Sequence, residues 1–107
     1  MRYILNSAVI TSPGRYEYFH ISPEEAKNWL QKGGYLSTIG YPETADALEL
    51  MTGISVAVNR QQITMQPGDE ALVFRLTKRL NLPENKGKVG VSVILNNCEI
   101  GILRRIL

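Results

Sequence analysis

The sequence predicts a small single-domain α/β protein: a mixed β-sheet covered by helices, with a C-terminal β-hairpin. Three observations predict it. A chain of 107 residues suits one hydrophobic core and is too short for two. Apolar stretches of period two alternate with stretches of helical spacing whose ends carry cap and stop residues. Some strands are separated by turn-length loops and others by whole helices, which calls for antiparallel and parallel pairing in one sheet.

Arg2 to Ile10 alternates in strand fashion, Ser12-Pro13-Gly14-Arg15 is a turn cluster, and Tyr16 to Ile21 places Tyr16, Tyr18 and His20 on one face. These are expected to pair as a β-hairpin. Ser22 is an N-cap followed by Pro23 at the first helical position and Glu25 three residues after the cap, so a helix runs to Gln31 or Lys32 and stops at Gly33-Gly34. Its buried stripe is Ala26, Trp29 and Leu30. Tyr35 to Ile39 is a short strand ending at Gly40, and Pro42 opens a second helix with Ala45, Leu48 and Met51 at helical spacing, closing at Gly53.

Ile54 to Val58 and Ile63 to Gln66 are short strand candidates on either side of the polar run Asn59-Arg60-Gln61-Gln62. Pro67-Gly68-Asp69 turns into Ala71 to Leu76, apolar on both faces as a central strand should be. A polar loop, Asn81 to Lys88, precedes Val89 to Leu95 and Cys98 to Leu103. Between these two runs lie Asn96-Asn97, both tolerant of the positive φ of a tight turn, and this is the expected terminal hairpin, spanning 89–103.

Composition narrows the function. The chain is 44% apolar and 21% charged, ordinary for a globular protein, and no apolar run approaches the ~20 residues of a membrane span. Asn6 and Ser7 interrupt the N-terminal apolar stretch, which reads as a first strand and not as a signal peptide. One cysteine, Cys98, and one histidine, His20, make neither a disulfide nor a zinc cluster, so a reducing, cytoplasmic setting and no metal are expected. A net charge of +2 comes from 12 basic and 10 acidic residues interleaved along the chain, which weighs against bulk nucleic acid and favours a small anion.

The segment Ser37 to Ala45 carries most of the chemistry. A glycine directly before a helix lets backbone approach a ligand, and the free N–H groups of the first turn favour phosphate. Tyr41 stands at the N-cap, where a phenol cannot do what Ser, Thr, Asp or Asn would. It is either an aromatic plug over the helix end or a ring and hydroxyl offered to a base or phosphate. Arg60, after Asn59, and Arg79, after the central strand, lie on loops at strand ends and suit bidentate phosphate recognition, although each is equally read as a solvated surface residue. Asn6 and Ser7, polar within an apolar strand, face either a site or solvent. Glu84 is a loop acid that could close over a ligand. His20 has no acid or nucleophile beside it in sequence, and Cys98 reads as a small packing residue.

The segments STIGYPETADALELMTG, VAVNRQQITMQPGDEALVFRL and KRLNLPE, in that order, resemble the viral ring-nuclease anti-CRISPR family and its bacterial homologues over residues 3–84. The resemblance implies a small α/β homodimer that binds cyclic tetra-adenylate, the second messenger of type III CRISPR defence, and linearises it without metal or cofactor. A ribose 2′-hydroxyl attacks the adjacent phosphate, so the protein positions the nucleotide, stabilises phosphate charge and protonates the leaving oxygen. On this reading Arg60 and Arg79 hold phosphates, Asn6, Ser7, Ile39, Gly40 and Asn59 contact the ligand, and Glu84 approximates the loop acid if Asn81-Leu82 is an insertion.

Two departures stand out. The family's Ile-Gly-His is Ile39-Gly40-Tyr41 here, and a phenol, with a reference pKa of about 10, donates a hydrogen bond but transfers its proton poorly at neutral pH. Tyr41, Arg79 and Glu84 are therefore the catalytic candidates if the protein cuts, and a non-catalytic sponge for the same cyclic nucleotide is the alternative. In addition, the chain after Lys86 departs from the family's helix-forming tail. A nucleic-acid-binding or protein-interaction module on the same fold is the third reading.

Overall fold

The structure is a computed structural model that describes residues 1–10, 12–80 and 90–107. Its elements are β1 (Arg2–Leu5), β2 (Tyr16–His20), α1 (Pro23–Gln31), β3 (Tyr35–Ser37), α2 (Pro42–Thr52), β4 (Glu70–Leu76), α3 (Val91–Leu95) and β5 (Cys98–Arg105). The five strands form one mixed sheet in the order β2-β5-β4-β1-β3. β1 runs parallel to both β3 and β4, whereas β5 runs antiparallel to both β4 and β2.

Strand alternation sorts the side chains onto two faces. Ile4, Leu72, Phe74, Ile100 and Ile102 point to one face and pack against Ala26, Trp29 and Leu30 of α1, Ala45, Ala47 and Leu48 of α2, and Ile94 of α3. The three helices of the described residues therefore cover that face, and the main core lies between. Ala71, Val73 and Leu103 point the other way and form a smaller cluster with Met65, flanked by Tyr3, Leu5, Tyr16, Tyr18 and Ile63. Among the described residues, this second face is covered by non-helical chain.

Both long helices begin and end where local chemistry directs. Ser22 and Glu25 form a reciprocal capping box, each side chain accepting from the other's backbone N–H. Gly53 ends α2 at φ 77°, a left-handed conformation that only glycine adopts without cost. Beyond α1, the Arg2 guanidinium lies 3.9 Å over the Trp29 ring and donates to the carbonyls of Trp29 and Gly33, placing a cation at the helix C-terminus. The Trp29 indole N–H in turn donates to Glu70, which also accepts from Arg104.

Three expectations about pairing are corrected. β1 and β2 do not form a hairpin: β1 sits between β4 and β3, and β2 pairs with β5 at the far edge. The Ser12-Pro13-Gly14 turn cannot choose a partner; β1 instead pairs in parallel with β3 on one side and β4 on the other, and Ile4 is buried beneath the helices. The terminal hairpin is also absent. Val91–Leu95 is a helix, α3, which buries Ile94 in the main core, and β5 finds its partners in β4 and β2. Three of its five residues are the β-formers Val91, Val93 and Ile94, so tertiary burial overrides local preference.

Residues 54–58 and 63–66 are not strands. They form irregular chain anchored by the buried Val56 and Met65. Side-chain bonds replace the ladder along the β3 edge, where Ser37 Oγ donates to the Ala57 carbonyl at 2.6 Å and Asn59 Nδ2 donates to the Ser37 carbonyl at 2.9 Å. Among the described residues no helix is long and apolar enough to cross a membrane.

Candidate functional site

The parallel strands β1 and β3 end side by side, and the chain leaving each carries polar residues. Thr38 joins the two exits, its backbone N–H (2.9 Å) and hydroxyl (2.8 Å) both donating to the Ile4 carbonyl. Ligands of α/β sheets gather at such carboxyl ends. A cavity of about 180 Å³ opens there. Asn6, Ser7, Thr38, Gln61 and Gln62 supply its polar lining. Leu5, Val9, Ile63 and Met65 supply apolar lining, and Tyr16 adds an aromatic wall.

Next to this cavity begins α2. Tyr41 is its N-cap residue, extended at φ −126° and ψ 125°, and makes no side-chain cap bond. Its side chain is 53% exposed, so the ring is not a plug sealed into the core. Gly40 before it has a packing role: a Cβ there would lie 3.0 Å from Cγ and 3.2 Å from Cδ of Arg60. The arginine stem crosses the glycine, and its guanidinium comes to rest 5.8 Å from the centre of the Tyr41 ring. A cation thus sits beside a helix N-terminus, where positive charge is unfavourable until an anion joins it.

Glu43, in the first turn of α2, accepts from the Leu80 backbone N–H at 2.6 Å. That bond ties the chain leaving β4 to the start of α2 and brings neighbouring Arg79, itself exposed, to the same end of the sheet. Asn6, Ser7, Gly40, Tyr41 and Arg60 therefore share one edge, with Arg79 approaching it. Two candidates support this edge from within. Ile39 is wholly buried, its N–H directed at Ser37 Oγ and its carbonyl bonded to the Asn59 N–H, so it holds the turn from beneath. Asn59 braces β3 through both its backbone and its side-chain amide. Glu84 lies outside the described residues.

Thr38, Glu43, Gln61 and Gln62 are additions that sequence reading does not single out. The two glutamines adjoin the Asn-Arg pair, but only the path of residues 61–66 beneath the helix-free face carries them to the cavity. Elsewhere, His20 and Cys98 lie apart from this edge. Glu99 accepts from Tyr18 at 2.7 Å and from Arg75 at 2.9 Å, with His20 at 3.7 Å. Those hydrogen bonds hold the Glu99 carboxyl below its ordinary pKa, while burial, with Glu99 beside it, pushes the Tyr18 phenol up. Burial likewise raises the Cys98 thiol, which leaves it protonated and packed. Among the described residues no group of three or more His, Cys, Asp or Glu side chains could hold a metal ion.

Comparison with known proteins agrees with this architecture. The chain is 36% identical over 83 residues to protein ORF117 of Acidianus two-tailed virus, covering 73% of this chain and 71% of that one. It is 40% identical over 83 residues to YddF of Bacillus subtilis, covering 76% and 75%, and 36% identical over 93 residues to protein 26 of Sulfolobus islandicus filamentous virus, covering 83% and 75%. The solved structure of B116 from Sulfolobus turreted icosahedral virus superposes with a TM-score of 0.79 at 18% identity, covering 97% of this chain and 98% of that chain, and shares the fold. A family model described as STIV B116-like matches residues 2–94, and the chain belongs to that family, which has viral and bacterial members.

Proposed function

We propose that the protein binds a cyclic oligoadenylate, cyclic tetra-adenylate, as a homodimer in the cytoplasm and so counteracts or regulates type III CRISPR signalling. The observation that carries the reading is Arg60, whose stem crosses Gly40 and whose guanidinium lies beside the exposed Tyr41 ring at the N-terminus of α2. A guanidinium beside the start of a helix, whose first-turn N–H groups also favour anions, supports a phosphate as the group bound there. The resemblance of the surrounding segments to ring-nuclease anti-CRISPRs supports a cyclic nucleotide as the source of that phosphate.

Size supports the dimer. A cavity of about 180 Å³ lies below the range of about 300–1,000 Å³ that encloses a drug-sized ligand, and a four-nucleotide ring is larger still. One protomer offers room for part of the ring, and a symmetric ligand suits the two-fold axis of an isologous pair.

Two fates of the bound ring are chemically open. In the first, its own 2′-hydroxyl, losing its proton to water, attacks the adjacent phosphate to form a 2′,3′-cyclic phosphate as the bond to the 5′-oxygen breaks; Arg60 and Arg79 stabilise the charge, and the Tyr41 hydroxyl gives its proton to the leaving 5′-oxygen and regains one from solvent. In the second, the phenol keeps its proton and the protein sequesters the messenger intact. A thermal-shift panel with cyclic tetra-adenylate and other cyclic nucleotides tests binding, because a ligand held only by the native state raises the melting temperature. Absence of any shift, together with affinity for duplex DNA, would overturn the proposal. Chromatography after prolonged incubation then separates the fates: linear product over many turnovers is cleavage, and intact ring is sequestration.

A further inference from the structure

We propose that the cavity at the end of β1 is a nucleobase pocket in which Gln61 and Gln62 select adenine; the inference rests on the cyclic-oligoadenylate reading above. Dimension is the first argument. A cavity of roughly 150 Å³ in a protein interior accommodates one benzene ring. At about 180 Å³ this one has room for a single nucleobase.

The character of the lining is the second argument. Ile63 and Met65 present apolar surface, Met65 being 3% exposed, and Tyr16 adds an aromatic wall. The Tyr16 hydroxyl donates to the Ser12 carbonyl at 2.9 Å, which fixes that ring in place. A flat, apolar-faced and aromatic-walled slot suits a stacked base.

Selection follows from what the rim contains and what it lacks. Among the described residues no charged side chain lines the cavity. Guanine is read best by Arg or Lys donating to O6 and N7, whereas adenine, with an N6 amine beside the N7 acceptor, pairs with the carbonyl and amine of one carboxamide. Gln61 and Gln62 bring two carboxamides to the rim, and they follow Arg60 directly in the chain. The phosphate-holding side chain and the base-reading side chains are thus one or two residues apart, as a nucleotide's phosphate and base require.

The test compares two rings that differ only at the base edge, cyclic tetra-adenylate and cyclic tetra-inosinate, by equilibrium titration against the full chain and its Gln61→Leu/Gln62→Leu variant. Inosine replaces the N6 amine with an oxygen acceptor. The wild-type chain is expected to prefer the adenylate ring by about 5- to 140-fold, the range for one bidentate amide–base pair. The variant is expected to lose that preference while its affinity for the inosinate ring stays within a few-fold, which also serves as the folding control. Equal wild-type affinities, or a preference that survives in the variant, would overturn base selection and leave cyclic-nucleotide binding intact. Failure of the wild-type chain to bind either ring would overturn both proposals.

Discussion

Replacing Gly40 with alanine tests the site at its most economical point. Gly40 does not have a positive φ, so alanine fits the backbone and trims the entropy of the unfolded chain by about 0.4–1 kcal/mol. The new methyl would lie 3.0–3.3 Å from Cβ, Cγ and Cδ of Arg60 and must push that stem aside. Because the obstacle is a flexible exposed side chain, the fold survives and the melting temperature moves by less than about 5 °C. The guanidinium leaves the Tyr41 ring, and one charge-assisted bond to phosphate is lost, about 1.5–3 kcal/mol or roughly 10- to 140-fold in affinity. Calorimetric titration with cyclic tetra-adenylate measures this for Gly40→Ala, Arg60→Ala and the double variant. The double variant is expected to be no weaker than Arg60→Ala alone, since both remove the same contact. Additive losses, or an unchanged affinity for Gly40→Ala, would refute the seat that glycine makes for the arginine.

Two further predictions concern stability. Phe74 is fully buried between β4 and the helices, so Phe74→Ala is expected to cost about 3–5 kcal/mol, read as a lowered urea midpoint at unchanged slope; a loss below 1 kcal/mol would contradict the core assignment. Glu70 and Glu99 both have lowered pKa values in the folded state. At Glu70 burial opposes ionisation but is outweighed by hydrogen bonds from Arg104 and Trp29, and at Glu99 bonds from Tyr18 and Arg75 dominate. The unfolded chain therefore binds more protons than the folded one below about pH 5, and the stabilisation present above the unfolded pKa is lost as pH falls through the folded values. Urea midpoints between pH 3 and 6 are expected to rise with pH, and less steeply in Glu70→Gln/Glu99→Gln; identical slopes would reject these carboxylates as the cause.

Legibility in the sequence tracks how local the deciding interaction is. α1 is readable from Ser22, Pro23 and Glu25 alone because its cap closes within four residues, and α2 from Pro42 and Gly53 for the same reason. The edge bearing Gly40 and Tyr41 is readable because a glycine and a misplaced aromatic at a helix start violate local rules. Partner choice is not readable in this way. β1 pairs with β4 and β3, strands 30 or more residues away. Val91–Leu95 has the composition of a strand, yet it becomes a helix because that winding delivers Ile94 to the core. Gln61 and Gln62 look like solvated polar residues until the anchoring of Met65 on the helix-free face carries them to the cavity.

On the proposed ring-nuclease reading, a tyrosine at position 41 in place of histidine is consistent with the same geometry. A histidine there would gain its proton next to the Arg60 guanidinium and the positive end of α2, and both push an imidazole toward its neutral form. Such a ring becomes a strong acid only once phosphate arrives to reverse the local field, which suits a proton donor that must be active only with substrate in place. A tyrosine meets no such conflict. It presents a π face that the guanidinium favours and a hydroxyl that can donate a hydrogen bond. The substitution keeps the cation in place at the helix terminus and removes the group whose acidity the phosphate would switch. On the proposed reading, affinity draws on Arg60, Arg79, the α2 amides and the two glutamines, whereas turnover also requires the Tyr41 hydroxyl to give up its proton in the transition state. Tyr41→Phe separates the two demands, since it preserves the aromatic face beside Arg60 and removes only the hydroxyl.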